Sequence, residues 1–359
     1  MASRASRLAD LALGRLRPGV VRSSVDTLRR NVEIMAKRPS LDDKLAAVRL
    51  LRDRDPSPEL TAELKTAIDD RSNLIVAAAA AIAGDQGLVE LAPALASALD
   101  RFLVDPLKTD KLCRAKLAVI QALDRFEHGA PDVFLKAARH VQLEPVWGGS
   151  EDTAAPLRAA ALLALARIDV DGLLTILVDA LVDPQKDVRI AAAQALGYHG
   201  SESAGLILRL KARLGDREPE VLSECLCGLL ACAPQENLPL VSGYLDLDDI
   251  PVREAAILAL GRSRLPEAFE ALSAFWSRKP PVVLRETVLL AMVMLRLPAA
   301  TEFLIELVAT GPEAASLAAL SALKIHAHDS RLRQRIAEVI QQRNLLALRA
   351  RFEKDFHNP

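Results

Sequence analysis

The chain has 359 residues, is 51% hydrophobic but only 3% aromatic, and sets 46 Lys and Arg against 47 Asp and Glu for a net charge of −1. Global charge therefore does not call for nucleic acid, and four cysteines (Cys113, Cys225, Cys227, Cys232) are too few for a disulfide framework in a chain this long. The longest apolar stretch, 74–83, is about half of the roughly 18–20 residues that span a membrane, so the expectation is a cytoplasmic protein in a reducing compartment without a membrane span.

The amino terminus comes first. Residues 1–38 carry nine Arg and Lys against three Asp and Glu, a net of +6. Leu8, Leu11 and Leu16 fall loosely on one side of an Arg-rich amphipathic segment, and Asp10 breaks the apolar stretch that a secretory signal needs. Residues 1–39 are read as basic capping helices, with a transit peptide or a membrane-surface helix as the rivals.

A repeat begins at residue 40 and dominates the chain to 328. Its clearest copies are Val188-Arg189…Ala191-Ala192…Ala195-Leu196-Gly197 and Val252-Arg253…Ala255-Ala256…Ala259-Leu260-Gly261. Counting from the Arg slot, copies stand at 44, 76, 114, 158, 189, 222, 253, 285 and 316, with spacings of 32, 38, 44, 31, 33, 31, 32 and 31. A period near 31 means one helical hairpin per unit, and a hairpin that cannot bury both apolar faces alone must stack on its neighbours. The fold class expected is all-α: an α-solenoid of about nine stacked antiparallel helix pairs. The Ala and Leu content suits helices that approach closely.

The unit at 171–200 shows the punctuation. Asp171-Gly172 opens helix A, Asp183-Pro184 makes a tight turn, and helix B runs from about 186 to 196. Gly197, eight after the slot like Gly84 and Gly261, reads as the residue that ends helix B with positive φ.

The core Asp187-Val188-Arg189…Ala191-Ala192…Ala195-Leu196-Gly197 resembles HEAT-type repeats, in particular the short bacterial variety known as phycobilisome-lyase-like. The resemblance runs over about 40–326 and is strongest over 158–293. It implies an armadillo-type solenoid. For function it implies a range: scaffolds, adaptors, lyase subunits and occasional nucleic-acid enzymes. It also implies that Arg114, Arg158, Arg189, Arg253 and Arg285 form a structural ladder, each bonding an Asp or a carbonyl of the adjacent repeat, rather than an anion-binding row.

Two steps are long. The second, from 114 to 158, exceeds the period by thirteen residues and contains His140, Glu144, Trp147, Gly148-Gly149-Ser150, Glu151 and Asp152. Insertions in solenoids map to loops on one face, often the binding face. The segment near 140–155 is therefore expected to be a long loop, and His140, Glu144, Trp147, Glu151 and Asp152 are candidate partner-binding residues. The other outcome is a loop whose Trp packs back onto the array. His140 and Glu144, four apart, would make an ordinary pair if both lay on one helix.

Within helix B, slots +1, +4 and +5 are expected to face the concave side, and few of them are charged. Leu162, Ile190, Ile257 and Leu289 are the larger apolar examples and join the candidate partner-binding set. Tight curvature, a partner chain or self-association would bury such a strip.

No phosphate loop, metal-ligand spacing or nucleophile–histidine constellation emerges, so no catalytic residue, metal or cofactor is assigned. Cys225, Cys227 and Cys232 lie on one predicted helix and read as small hydrophobes. Residues 329–359, net +3, read as a basic carboxyl-terminal capping segment, which leaves −10 for the body between the basic ends. The expectation is a non-catalytic scaffold or adaptor for a protein partner. An accessory subunit of a modifying, lyase-type enzyme and nucleic-acid binding through the basic termini are the alternatives, the latter disfavoured by an acidic body.

Overall fold

The computed structural model describes residues 40–168 and 170–356. The expected amino-terminal capping helices at 1–39, Asp169 and the histidine at 357 lie outside the described residues. Twenty α-helices and one two-stranded hairpin make up the described chain. After a lone first helix, α1 (Leu41–Leu50), the helices alternate outer and inner. The pairs are α2 (Pro58–Ile68) with α3 (Asn73–Gln86), and α4 (Ala92–Leu103) with α6 (Arg114–Arg125), α5 being the short turn of helix Pro106–Thr109. Then come α7 (Pro131–Ala138) with α8 (Ala155–Leu165), α9 (Leu173–Ala180) with α10 (Lys186–His199), and α11 (Glu202–Leu214) with α12 (Pro219–Cys232). The last four are α13 (Pro234–Gly243) with α14 (Ile250–Ser263), α15 (Pro266–Ser277) with α16 (Val282–Met294), α17 (Pro298–Thr310) with α18 (Glu313–Leu323), and α19 (Ser330–Arg343) with α20 (Leu346–Phe356). This is an all-α, HEAT-like solenoid. The nine complete pairs are shifted one unit along from the nine slots: slot 44 sits on unpaired α1, and the basic carboxyl-terminal segment supplies the ninth pair, α19 on α17 and α20 on α18.

Local chemistry explains the boundaries. The Ser57 hydroxyl accepts the Leu60 N–H and Pro58 follows at the first helical position, where no N–H is needed. The Asp249 carboxylate does the same for Val252 ahead of α14. Each inner helix packs closely on the next inner helix, more than outer helices do on one another.

The slot +8 glycines have a different job from the one expected. Gly84, Gly197 and Gly261 lie inside their helices, which run on to Gln86, His199 and Ser263. The left-handed stop comes three residues later, at Gly87, Gly200 and Arg264. A Cβ on Gly197 would stand 2.8 Å from the Gly228 Cα, and one on Gly261 would stand 2.6 Å from the Ala291 Cα. These glycines are crossing points between consecutive inner helices. The apolar core runs unbroken from Val48 to Phe356, as a stacked array requires.

Candidate partner-binding site

The 140–155 segment is not a structureless loop. β1 (Leu143–Val146) pairs antiparallel with β2 (Gly149–Asp152), in a register that sets Glu144 opposite Glu151 and Val146 opposite Gly149. Two residues, Trp147 and Gly148, make the turn, with Gly148 at φ +87°. His140 and Glu144 thus share no helix, and their expected pairing is absent: His140 Nε2 meets the Gln142 side chain at 3.2 Å. Burial pushes the His140 pKa down, so the ring is held toward its neutral form.

Buried carboxylates pin the base of the hairpin. Oε1 of Glu144 accepts the Leu112 backbone N–H at 2.5 Å, the Gln142 amide at 2.7 Å and the Thr153 hydroxyl at 2.8 Å. Burial by itself would raise the Glu144 pKa, but these three donors outweigh it and hold the carboxyl below its usual range. Asp152 accepts the Gln142 and Ala154 N–H groups and pairs with Arg158 at 2.8 Å. Here too burial opposes and the hydrogen bonds win, so its pKa is lowered. Asp110 completes the base. It is fully buried, accepts the Ala115 and Lys116 N–H groups at 3.0 Å each, and pairs with the Lys116 ammonium at 3.2 Å. The segment between is strained: Leu112 and Cys113 are both left-handed, at φ 61° and 50°, and the turned Leu112 N–H is the one that holds Glu144.

What this base carries is exposed. Trp147 has 102% of its reference surface open to solvent, so the packed-back alternative is excluded. Val146, Leu143 and Val141 on the hairpin and Leu112 beside it are exposed as well. Glu151 is exposed on the second strand. Lys111, Arg114 and Arg139 stand exposed around the same segment and form no ion pair among the described residues. The result is an apolar edge with a basic rim on a rigid pedestal.

The candidates on the inner helices divide. Leu162, Ile257 and Leu289, all at slot +4, are at most 1% exposed and packed in the core, so they cannot present a surface to a partner. The same place in other repeats holds buried Ala80, Ala193, Leu226 and Leu320. Slot +4 faces the next inner helix, a contact that hairpin-level geometry leaves out of account. Ile190, at +1, is half-buried and leans on the core. Positions +1 and +5 do border the inner groove, and there it is acidic: Glu220, Glu224, Glu254 and Leu258 line one stretch, and Arg262 is tied to Glu224.

The Arg positions divide too. Arg189 is buried and grips Asp216 of the next unit with two hydrogen bonds, at 2.9 and 2.8 Å, while its third nitrogen bonds the Asp183 and Pro184 carbonyls. Arg158 grips Asp183 in the same way and adds Asp152 and the His140 carbonyl. Asp216 also takes Lys211 at 2.8 Å, and although burial opposes it, these bonds hold its carboxyl far below the usual range. Arg114 does not belong to this set. It is exposed, and Lys116, two residues on, occupies the buried slot, six residues after Asp110 as Arg158 and Arg189 follow Asp152 and Asp183. Arg253 reaches only a fully exposed Asp248 at 3.7 Å, and exposed Arg285 bonds the Pro280 carbonyl. Asp110, Lys116, Gln142 and Thr153 went unnoticed in the sequence. The recurring Asp six residues ahead of a cationic slot was the available signal.

Burial pushes the Cys113 and Cys227 thiols up to about 11 and Cys225 to about 12, which keeps them protonated and unreactive. No group of His, Cys, Asp and Glu among the described residues has the geometry of a metal site, and no described helix is long and apolar enough to cross a membrane.

The family comparison agrees with the repeat architecture. Residues 149–224, 207–292 and 239–324 match the family of HEAT repeats. No curated protein matches the chain by sequence. Among solved structures it is similar to the complex of CpcE and CpcF of phycocyanin lyase from Nostoc sp., at 20% identity over 68% of this chain and 94% of that one, with a TM-score of 0.36. It is also similar to human deoxyhypusine hydroxylase in complex with glycerol, at 21% identity over 72% and 92% of the two chains, with a TM-score of 0.28.

Proposed function

Because this chain is a HEAT-repeat protein, we propose that it is a non-catalytic scaffold or adaptor whose hairpin tip at Trp147 docks a partner chain. One observation carries the reading: a fully exposed Trp stands on a hairpin whose base is locked by buried Glu144 and Asp152. A large aromatic carried out into water on a pinned hairpin backbone has only two side-chain torsions to fix on binding and gains its whole apolar area, which is the profile of an interface anchor. The exposed cations Lys111, Arg114 and Arg139 around it set the partner's chemistry: an apolar cleft rimmed by carboxylates. The acidic lining of the inner groove at Glu220, Glu224 and Glu254 favours a protein over nucleic acid there.

The test is quantitative capture of partners from the native source with the full chain and with Trp147→Ala. Loss of an anchor of this type costs about 2 kcal/mol or more, so the captured partner should fall about thirtyfold in affinity. The melting temperature should not move, since the side chain touches nothing that folding needs. Unchanged capture by the variant would sink the proposal.

A further inference from the structure

Outer helix α11 differs from every other outer helix in one respect. Its core positions are Ala204, Leu208 and Ala212, and two residues after each come Leu206, Leu210 and Leu214, exposed at 62%, 61% and 75%. The same outward positions hold Glu270, Ala274 and Arg278 on α15, Glu302, Glu306 and Thr310 on α17, and Gln334, Glu338 and Gln342 on α19. Two of those residues are in ion pairs that keep the outer surface wet, Arg278 with Asp246 and Glu302 with Arg335. On α11 the stripe is leucine over two full turns.

The neighbouring outer helix widens it. Arg209, one residue after core Leu208, bonds Asn237 on α13, the following outer helix, so positions just after the core face the next unit. Val178 and Val182, one after core Leu177 of α9 and core Leu181 at its carboxyl cap, therefore face α11, and both are exposed. Together with half-buried Ile207 they join the leucines into one apolar strip on the outer face.

The charges at the ends of the strip identify what covers it. Glu202 lies on the leucine stripe one turn before Leu206, exposed and without an ion pair among the described residues. Arg213 stands exposed at the other end beside Leu214 and forms no ion pair among the described residues; Arg217, exposed there too, bonds the Pro184 carbonyl and meets Glu218 at 3.9 Å. A strip acidic at one end and basic at the other is complementary to itself turned end for end. We propose that α11 packs antiparallel against α11 of a second copy of this chain, giving a twofold dimer through the outer face. Leu206 then meets the Leu214 end of its twin, Leu210 lies near the axis, and each Glu202 lies at the Arg213 end of the other copy. A twofold interface of this kind is self-complementary by construction, and antiparallel helices also align their dipoles favourably. The interface is independent of Trp147, which sits on an insertion two units earlier.

Sedimentation of the full chain over the micromolar range tests this. The wild type should run at twice 38.8 kDa, and a monomer throughout would overturn the proposal. Leu210→Glu should give a monomer that melts like the wild type, because the residue is open to solvent in the single chain. A dimer that survives Leu210→Glu overturns the assignment to α11. The orientation is read by charge reversal. Glu202→Arg and Arg213→Glu should each weaken dimerisation about tenfold or more, and the double variant should recover most of the loss. Failure of the double variant to recover overturns the antiparallel arrangement.

Discussion

The stretch from α9 to α14 and the stretch from α5 to β2 solve the same problem differently. In the first, every stabilising contact repeats with the period of the chain. Arg189 reaches Asp216 in the next unit, and Gly197 meets Gly228 at the crossing of consecutive inner helices. In the second, the period is interrupted, and three buried carboxylates gather donors from within the insertions themselves. Apart from the strip on α9 and α11, the regular stretch leaves only two large apolar side chains exposed, Tyr198 and Leu247. The insertions leave Val104, Leu107, Leu112, Val141, Leu143, Val146 and Trp147 exposed. Repetition makes a stable rod, and the interruption is where the rod gains a feature of its own.

The contrast breaks hardest at the buried ion pairs. Arg189→Ala strips Asp216 of two charge-assisted bonds in a site where both side chains are only 5% exposed. Removing one partner of such a pair typically costs about 3–5 kcal/mol when the other charge is left buried and unpaired, and Lys211, still on Asp216, keeps the loss at the low end of that range. Arg285→Ala, at the equivalent slot but exposed and bonded only to a carbonyl, should cost less than about 1 kcal/mol. Chemical denaturation of the two variants side by side measures the difference. Equal losses would mean that the slot, rather than the pairing, is what matters.

That contrast also marks what could be read in advance. The period near 31 is a local signal, carried by nine slots, and it gave away the solenoid. Register within the irregular units was harder. Arg114 matched the slot by residue type, whereas Lys116 fills it by position, because what defines the slot is the Asp six residues earlier and its neighbour across the repeat. The hairpin left almost no trace either. Leu143-Glu-Pro-Val and Gly149-Ser-Glu-Asp are short, polar and broken by proline, and their pairing depends on Leu112 and Asp110, some thirty residues away. Slot +4 was assigned to the open side because one hairpin alone does leave it open. Only the stacked neighbour buries it.

The crossing glycines give the next largest effect. A side chain at Gly261 would meet the Ala291 Cα, O and Cβ at 2.6–2.8 Å, and helix backbone on both sides leaves little room to shift. Gly261→Val should destabilise by about 2–3 kcal/mol through this overpacking, even though valine suits a helix better than glycine in isolation. A variant as stable as the wild type in a urea titration would show that the inner helices can slide apart and that the array is looser than its contacts imply.

In the insertions the corresponding change is Glu144→Gln, which keeps the shape and removes the charge. The Leu112 N–H, the Gln142 amide and the Thr153 hydroxyl then share a weaker acceptor, and the left-handed turn at Leu112 and Cys113 loses its restraint. A loss of about 1–2 kcal/mol is expected, confined to this region. Hydrogen exchange should quicken over 110–116 and 143–153 and stay unchanged over α9 to α14. Faster exchange throughout would mean that the hairpin is a structural part of the rod rather than a fixture upon it.

Acid should separate the two regions with the smallest change in the molecule, a proton. Glu144, Asp152 and Asp216 all have carboxyl pKa values below those of an unfolded chain. A group depressed in the folded state contributes stability that is complete above its unfolded value, near 4, and is lost as pH falls through the folded one. Asp216, held by Arg189 and Lys211 together, is depressed furthest. Glu144 relies on three hydrogen bonds without a direct ion pair, so its protonation comes at higher pH. On acidification from pH 5, protection at 143–153 should therefore fall before protection in α10 to α12 does. Trp147, already in water, reports poorly on that first step, so exchange at the Leu112 amide is the measurement to make. If that amide and those of α12 lose protection together, the carboxylates of the two regions titrate as one system and the division between rod and hairpin does not hold.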